Sequence, residues 1–191
     1  MRLIIGILID RLVGDPQGWY HPVRTIGSVI RLCERILRKL FPETEKGEMA
    51  AGVCLCAAVL LFSGGVPALL LLAAGRIHPV LPLILGSVMC WQLLAAKSLK
   101  DESMKVYAAL QEGDGEKARY AVSMIVGRDT EKLTQEGIIR AAVETVAENT
   151  SDGVIAPLLY MAIGGPVLGF LYKGINTMDS MVGYNNEKYE Y

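Results

Sequence analysis

Three long blocks without an Asp, Glu, Lys or Arg side chain limit what this chain can fold into. They cover residues 49–75, 77–96 and 153–172. A helix of about 20 apolar residues crosses the roughly 30 Å hydrocarbon core of a bilayer, and each block reaches that length. A soluble core needs apolar residues at periodic positions rather than in blocks. A soluble protein with three buried helices is the alternative, but the block lengths favour membrane-spanning helices.

Glycine and proline interrupt two of these blocks. The first carries Gly64, Gly65 and Pro67, so its helix can tilt, kink or turn back on itself. The third carries Gly164, Gly165, Pro166 and Gly169. Broken helices occur in membranes where protein or water satisfies the freed backbone groups. We therefore expect residues 153–172 to form either a transmembrane or a re-entrant helix.

The charged residues set the expected orientation. Lys plus Arg number 19 and Asp plus Glu number 20, so no nucleic-acid-binding surface is indicated. Residues 25–40 have the pattern of a basic amphipathic helix, which suits a membrane surface rich in anionic lipid. Basic residues precede the first block and follow the second, while Arg76 alone lies between them. By the positive-inside rule, both flanking regions are predicted to be cytoplasmic.

The remaining segments also read as helical. Residues 1–9 resemble a signal peptide but lack a small-residue cleavage site, so we expect a short helix on or in the membrane. Residues 98–152 form a polar stretch with helices predicted at 99–111, 115–126 and 131–149. Cys54 and Cys56 lie inside the first block and are interpreted as small apolar fillers. The predicted class is all-α, a polytopic membrane helical bundle with a cytoplasmic helical insert.

An acidic patch lies directly before the third block. Glu144 and Glu148 are four residues apart on a helix, and Asn149 and Asp152 follow them. Two carboxylates on one face, with amide and hydroxyl oxygens nearby, can hold Mg²⁺ together with water and substrate phosphates. The alternative is structural, with Glu144 paired to Arg140 and Asp152 capping the next helix. Carboxylates at a membrane boundary are costly, which favours a functional site.

A second polar group follows the third block. Lys173 can meet a phosphate as a point charge, while Asn176, Asp179 and Ser180 supply oxygen ligands and donors. Such residues are equally common as caps and turns at the end of a helix, and that alternative stays open.

Two arginines are candidates for binding an anion. Arg24 ends a loop rich in Gly and Pro and can clamp a phosphate or a carboxylate. Arg128 is a second candidate, in a segment that also reads as a helix start. His21, which a proline follows, is interpreted as a loop residue. Neither a Walker loop nor a dinucleotide-binding fingerprint is present in the sequence.

Together these segments resemble the adenosylcobinamide-phosphate synthase family of cobalamin biosynthesis, the CobD/CbiB proteins. Their order and spacing, with two predicted spans between the first and the second segment, also fit. The resemblance rests on DRLVGDPQGWYHPVR at residues 10–24, VGRDTEKL at 126–133, AVETVAENTSDGVIAPLLY at 142–160 and YKGINTMDSMVGYNNEKY at 172–189.

The resemblance implies an amide ligation at the inner membrane that depends on ATP and Mg²⁺. It would join adenosylcobyric acid to an aminopropanol, usually as the O-phosphate. It implies metal and catalytic roles for Glu144, Glu148 and Asp152, with Asp179 as a further catalytic residue. The substrate and phosphate ligands it implies are Arg24, Arg128, Asn149, Lys173, Asn176 and Ser180.

The resemblance also bears on completeness. Members of this family continue well beyond the last segment with further membrane helices, so the chain looks like the N-terminal three fifths. A second polypeptide or a homo-oligomer would then complete the bundle. Two other functions stay open, a membrane transport component for cobalt or a corrinoid and a noncatalytic membrane accessory protein. Almost no polar residues lie inside the first two blocks, which disfavours transport.

Overall fold

The computed structural model describes residues 1–16, 18–127, 129–184 and 189, and every regular element within them is helical. This confirms the predicted all-α class. The elements are α1 Arg2–Val13, α2 Pro22–Leu40, α3 Glu45–Ile77, α4 Leu81–Gln92, α5 Ala96–Gln111, α6 Gly115–Ser123, α7 Gln135–Thr150, a π-helical segment Ser151–Ile155 and α8 Ala156–Val182.

Three helical stretches in the described residues are long and apolar enough to cross a membrane. They are Glu45–Ile77, Leu81–Gln111 and Gln135–Val182. The first corresponds to α3 alone, which continues as one helix of 33 residues with Pro67 inside it. Each of the other two is interrupted, the second between α4 and α5 and the third within α8.

The second stretch is broken between α4 and α5. Helix α4 has 12 residues, which is about 18 Å of helix and less than the block 77–96 suggests. The break at residues 93–95 leaves backbone groups that need partners. The Ala95 N–H donates to the carbonyl oxygen of Gly153 at 3.2 Å, so the π-helical segment supplies one of them.

A buried carboxylate from α1 caps the helix after this break. Asp10 is only 3% exposed, and its Oδ2 accepts from the Lys97 N–H in the first turn of α5 at 3.3 Å. Burial raises the pKa of Asp10, while the backbone N–H groups of Lys97 and Ala96 oppose that shift. A carboxylate at a helix N-terminus satisfies donors that otherwise lack partners. Asp10 thereby joins α1 to α5.

Helix α8 reverses direction within itself. Gly164 and Gly165 have non-helical dihedrals, and Gly165 has φ 64° and ψ −162°, which favours glycine. A Cβ on Gly169 would lie 2.5 Å from Cγ of Met161, so residues eight apart are in contact across the turn. The chain therefore forms a helical hairpin, with a first arm at residues 156–163 and a second arm at 166–182.

Two separate apolar cores hold these helices. The larger joins α2, α3, α4 and α8 through buried residues that include Ile30, Val59 and Phe170. The smaller lies within α5, α6 and α7 and includes Val106, Val122 and Ile138. The polar insert therefore has a core of its own, which agrees with its predicted three helices, although α6 ends at Ser123.

Helix α3 and the second arm of α8 approach each other closely at Gly174. A Cβ there would lie 2.6 Å from Oγ of Ser63 on α3. We predict that Gly174→Ala lowers the free energy of unfolding by roughly 1–3 kcal/mol, because the helices must move apart. Gly65→Ala is the matched control, since a Cβ at Gly65 meets nothing within 4 Å. Unfolding in detergent measures both, and equal stability of the two variants would contradict the close approach.

Candidate functional site

The π-helical segment Ser151–Ile155 carries Asp152. A π-helical turn holds one residue more than the α-helix around it and is found frequently at functional sites. Gly153, next in the chain, is buried against Ala95 with its carbonyl turned to the α4–α5 break. Asp152 is thus held half-buried where α7, the break and the hairpin meet.

A chain of hydrogen bonds links Asp152 to the second arm of the hairpin. Asn176 donates from Nδ2 to Oδ2 of Asp152 at 3.2 Å. Lys173 donates from Nζ to Oδ1 of the same Asn176 at 3.4 Å. The amide therefore has a cation on its oxygen side and a carboxylate on its nitrogen side, which uses both ends of the Asn side chain. Three of the residues predicted to form a site are brought together.

Two tyrosines pack beside this chain of hydrogen bonds. The rings of Tyr160 and Tyr172 stack with centroids 4.8 Å apart. The Tyr172 hydroxyl donates to the backbone carbonyl of Asp152 at 3.3 Å. Because Tyr160 lies on the first arm and Tyr172 on the second, the stack fixes the two arms against each other next to Asp152.

The loop between α1 and α2 lies against the α4–α5 break. Trp91 donates from Nε1 to the Gly14 carbonyl at 2.8 Å. The Asp15 N–H donates to Oγ of Ser98 at 2.9 Å. Gly14 has φ 70°, a conformation that suits glycine, and it is buried. The N-terminal segment is thereby fixed to the elements that hold Asp152.

His21 lies in the loop before α2, as we interpreted it, and its side chain has a further role. Its Nδ1 accepts from the Val23 N–H at 3.3 Å and caps α2, while its Nε2 lies 3.9 Å from Oδ2 of Asp15. Burial lowers the pKa of His21, as do the positive charges of Lys173 and Arg24, while Asp15 opposes the shift. Lys173 is therefore near enough for its charge to act on His21. Its position before Pro22, which starts α2, was the only signal in the sequence.

Three predicted site residues form bonds within their own helices. Glu144 accepts from Nε of Arg140 at 2.7 Å, as the structural alternative proposed. Asn149 donates from Nδ2 to the Thr145 carbonyl. Ser180 donates from Oγ to the Asn176 carbonyl.

The other candidates differ in position. Glu148, Asp179 and Arg24 are exposed. Arg24 lies in the first turn of α2, close enough for its charge to act on His21. Arg128 lies outside the described residues.

The donor set limits how Mg²⁺ can be held. In the described part of the chain, no group of three or more His, Cys, Asp or Glu side chains comes close enough to hold a metal ion. Glu144, Glu148 and Asp152 therefore do not form a closed three-carboxylate cage. Mg²⁺ is usually bound by one or two carboxylates with waters and substrate phosphates, and the half-buried Asp152 fits that mode.

The amino-acid sequence matches a known protein family. The family described as CobD/Cbib protein matches residues 3–191. No solved structure matches the chain at a significant level.

Individual relatives match along the whole chain. The cobalamin biosynthesis protein CobD of Clostridium perfringens is 45% identical over 190 residues, which are 100% of this chain and 59% of the relative. The CobD of Streptococcus sanguinis is 48% identical over 99% of this chain and 58% of its own length. That of Listeria monocytogenes is 46% identical over 96% of this chain and 58% of its own length. The chain thus spans just under three fifths of the length of these relatives.

The electrostatic effect of Lys173 on His21 has a direct test. We predict that Lys173→Met raises the pKa of His21, because a nearby positive charge that disfavours the imidazolium is removed. The chain has two histidines, so His78 serves as an internal control in a titration followed by NMR. An unchanged His21 titration, or an equal shift at His78, would contradict the juxtaposition.

Proposed function

We propose that this chain, which belongs to the CobD/Cbib protein family, takes part in cobalamin biosynthesis as an adenosylcobinamide-phosphate synthase. The reaction is the amide ligation of adenosylcobyric acid with aminopropanol or its O-phosphate, with ATP as co-substrate. The observation that carries the proposal is the hydrogen-bonded chain from Lys173 through Asn176 to Asp152. It provides a cation and a carboxylate on the two sides of one amide, and charges of both signs serve phosphoryl transfer with Mg²⁺.

The proposed chemistry has two steps. In the first, a carboxylate oxygen of adenosylcobyric acid attacks the γ-phosphorus of ATP, which forms an acyl phosphate and releases ADP. In the second, the amine of the aminopropanol attacks the acyl carbon, the C–O bond to phosphate breaks, and the nitrogen loses a proton. The net products are the amide, ADP and inorganic phosphate.

The positive groups fit the phosphate end of this site. Lys173 and Arg24 both act electrostatically on His21, so both positive charges lie within range of its imidazole. Lys173 would bind the transferring phosphoryl group as a point charge, and Arg24 would hold a second phosphate or a corrin carboxylate. His21, whose Nδ1 is used by the α2 cap, would position Arg24 and orient the first turn of α2.

The acidic groups fit the metal end. Mg²⁺ would neutralise charge on the phosphates when bound. Asp152 would hold it, with Glu148 one helical turn earlier as the second carboxylate. Asn176 would keep the Asp152 carboxylate in place and separate it from the Lys173 ammonium. Asp179, in the last turn of α8, would be a further acidic residue of the proposed site.

Placement at the membrane is part of the proposal. The three apolar helical stretches are compatible with membrane insertion. We propose a multi-pass protein of the inner membrane with the insert, residues 98–152, in the cytoplasm, where ATP is available.

Transport of cobalt or a corrinoid is the alternative from another functional class. Polar groups in an interrupted membrane helix also mark substrate pathways in transporters, and Asp152, Lys173 and Asn176 lie at the open end of the α8 hairpin, away from its turn. The two functions can be distinguished by their product. A ligase forms an amide in detergent solution, whereas a transporter forms no new bond. A noncatalytic accessory role predicts neither activity.

Complementation tests the function. A strain lacking the ligation step receives either this chain alone or this chain fused to the C-terminal two fifths of the Clostridium perfringens relative. We expect growth on adenosylcobyric acid with the fusion, and growth with the chain alone would show that no further segment is needed. No growth with a stably inserted fusion would contradict the ligase function.

The site residues are tested in the same fusion. We predict that Asp152→Asn, Lys173→Met and Glu148→Gln each lower ligation in membranes by about 100-fold or more, since each removes a charge that acts on the transferring group. Glu116→Gln, an exposed acid in the first turn of α6, is the matched control and should keep full activity. Retained activity of Glu148→Gln would exclude Glu148 from the metal site.

A further inference from the structure

Helix α2 carries two adjacent stripes on its exposed side. Leu32, Ile36 and Leu40 are spaced by four residues and are 54%, 51% and 74% exposed. Residues four apart lie on one face of a helix, so these side chains form a continuous apolar stripe. None of these three side chains belongs to either apolar core.

The second stripe is basic. Arg31, Arg35 and Lys39 precede the three apolar residues by one position each, and all three are exposed. One residue corresponds to about 100° of helix rotation, so the basic stripe runs beside the apolar stripe along its whole length. We call the two together the α2 outer face.

The opposite side of α2 is fixed in the protein. Ile26 and Ile30 are buried in the core with Leu55 and Val59 of α3. The acidic residue of this helix, Glu34, accepts from Nε of Arg38 at 3.1 Å. The α2 outer face is thus held outward by a packed core, and its charge is positive.

We propose that the α2 outer face binds anionic phospholipid. Leu32, Ile36 and Leu40 insert between acyl chains, and Arg31, Arg35 and Lys39 bind the phosphodiester groups beside them. A basic stripe next to an apolar stripe is the surface that an interfacial helix presents to an anionic bilayer. The inference is independent of the ligase function.

The two stripes together indicate which kind of molecule binds the α2 outer face. A soluble phosphate would use the arginines but would leave three exposed apolar side chains in water. A neutral lipid would cover the apolar stripe but would offer no net charge to the basic one. A phospholipid with a net negative headgroup satisfies both stripes, and the apolar helical stretches of the same chain bring it within reach.

The charged stripe is tested by titration. The purified chain in neutral detergent receives short-chain phosphatidylglycerol, short-chain phosphatidylcholine or inorganic phosphate, and the unfolding temperature is followed. We expect phosphatidylglycerol to raise the unfolding temperature at a lower concentration than phosphatidylcholine or inorganic phosphate. Arg31→Gln with Arg35→Gln should weaken the apparent affinity for it by roughly fivefold per charge, because each basic residue contributes to attraction by an anionic surface. The response to phosphatidylcholine should not change.

A control pair removes the same charge elsewhere. Lys100→Gln with Lys132→Gln alters two exposed lysines of the insert and should leave the phosphatidylglycerol response intact. Equal weakening by the control pair, equal responses of the wild type to the two lipids, or an equal response to inorganic phosphate would each overturn the proposal.

A separate variant tests the apolar stripe. Ile36→Asn should weaken the response to both lipids, because the side chain no longer favours the acyl region. Circular dichroism confirms that the helices are retained in every variant. An unchanged response of a folded Ile36→Asn variant would show that the apolar stripe does not insert, and would overturn the proposal.

Discussion

The reversal of the chain at Gly164–Gly165 determines which polar side chains meet. With a straight α8, Asp152 and Asn176 would be some 36 Å apart along the helix axis, at about 1.5 Å per residue. With the reversal they form a hydrogen bond of 3.2 Å, and Tyr160 stacks on Tyr172 nearby. The turn requires a positive φ, which Gly165 adopts at 64°. The candidate site therefore depends on a backbone conformation that a glycine supplies.

The elements around the hairpin satisfy one another's broken backbone bonds. The α4–α5 break donates from Ala95 to the Gly153 carbonyl, and the buried Asp10 caps α5 through Lys97. Unpaired backbone groups in apolar surroundings cost several kcal/mol, by order of magnitude, so each interruption needs such a partner. The consequence is that α1, the break and the π-helical segment form a connected frame. This frame holds Asp152 and the loop between α1 and α2 in fixed positions relative to each other.

Composition and periodicity were sufficient to predict helices, the apolar stretches and an insert with three helices. Gly164 and Gly165 indicated that the third block would be interrupted. The break after α4 could not be read from the sequence, because its partners come from Asp10 and Gly153, far away in the chain. For the same reason the sequence could not predict the electrostatic effect of Lys173 on His21, because the two residues are far apart in the chain. The pairing of Glu144 with Arg140 one turn away is the structural alternative that the sequence itself had offered.

The central claim is that Asp152 and Asn176 act as one unit in the ligation site, and a double-mutant cycle on ligation rate tests it most directly. Asp152→Ala, Asn176→Ala and the double variant are compared in the fusion with the relative's C-terminal segment. Residues that act through each other give strongly non-additive losses. We predict that the double variant is no slower than the slower single variant. Losses that multiply would contradict a shared site.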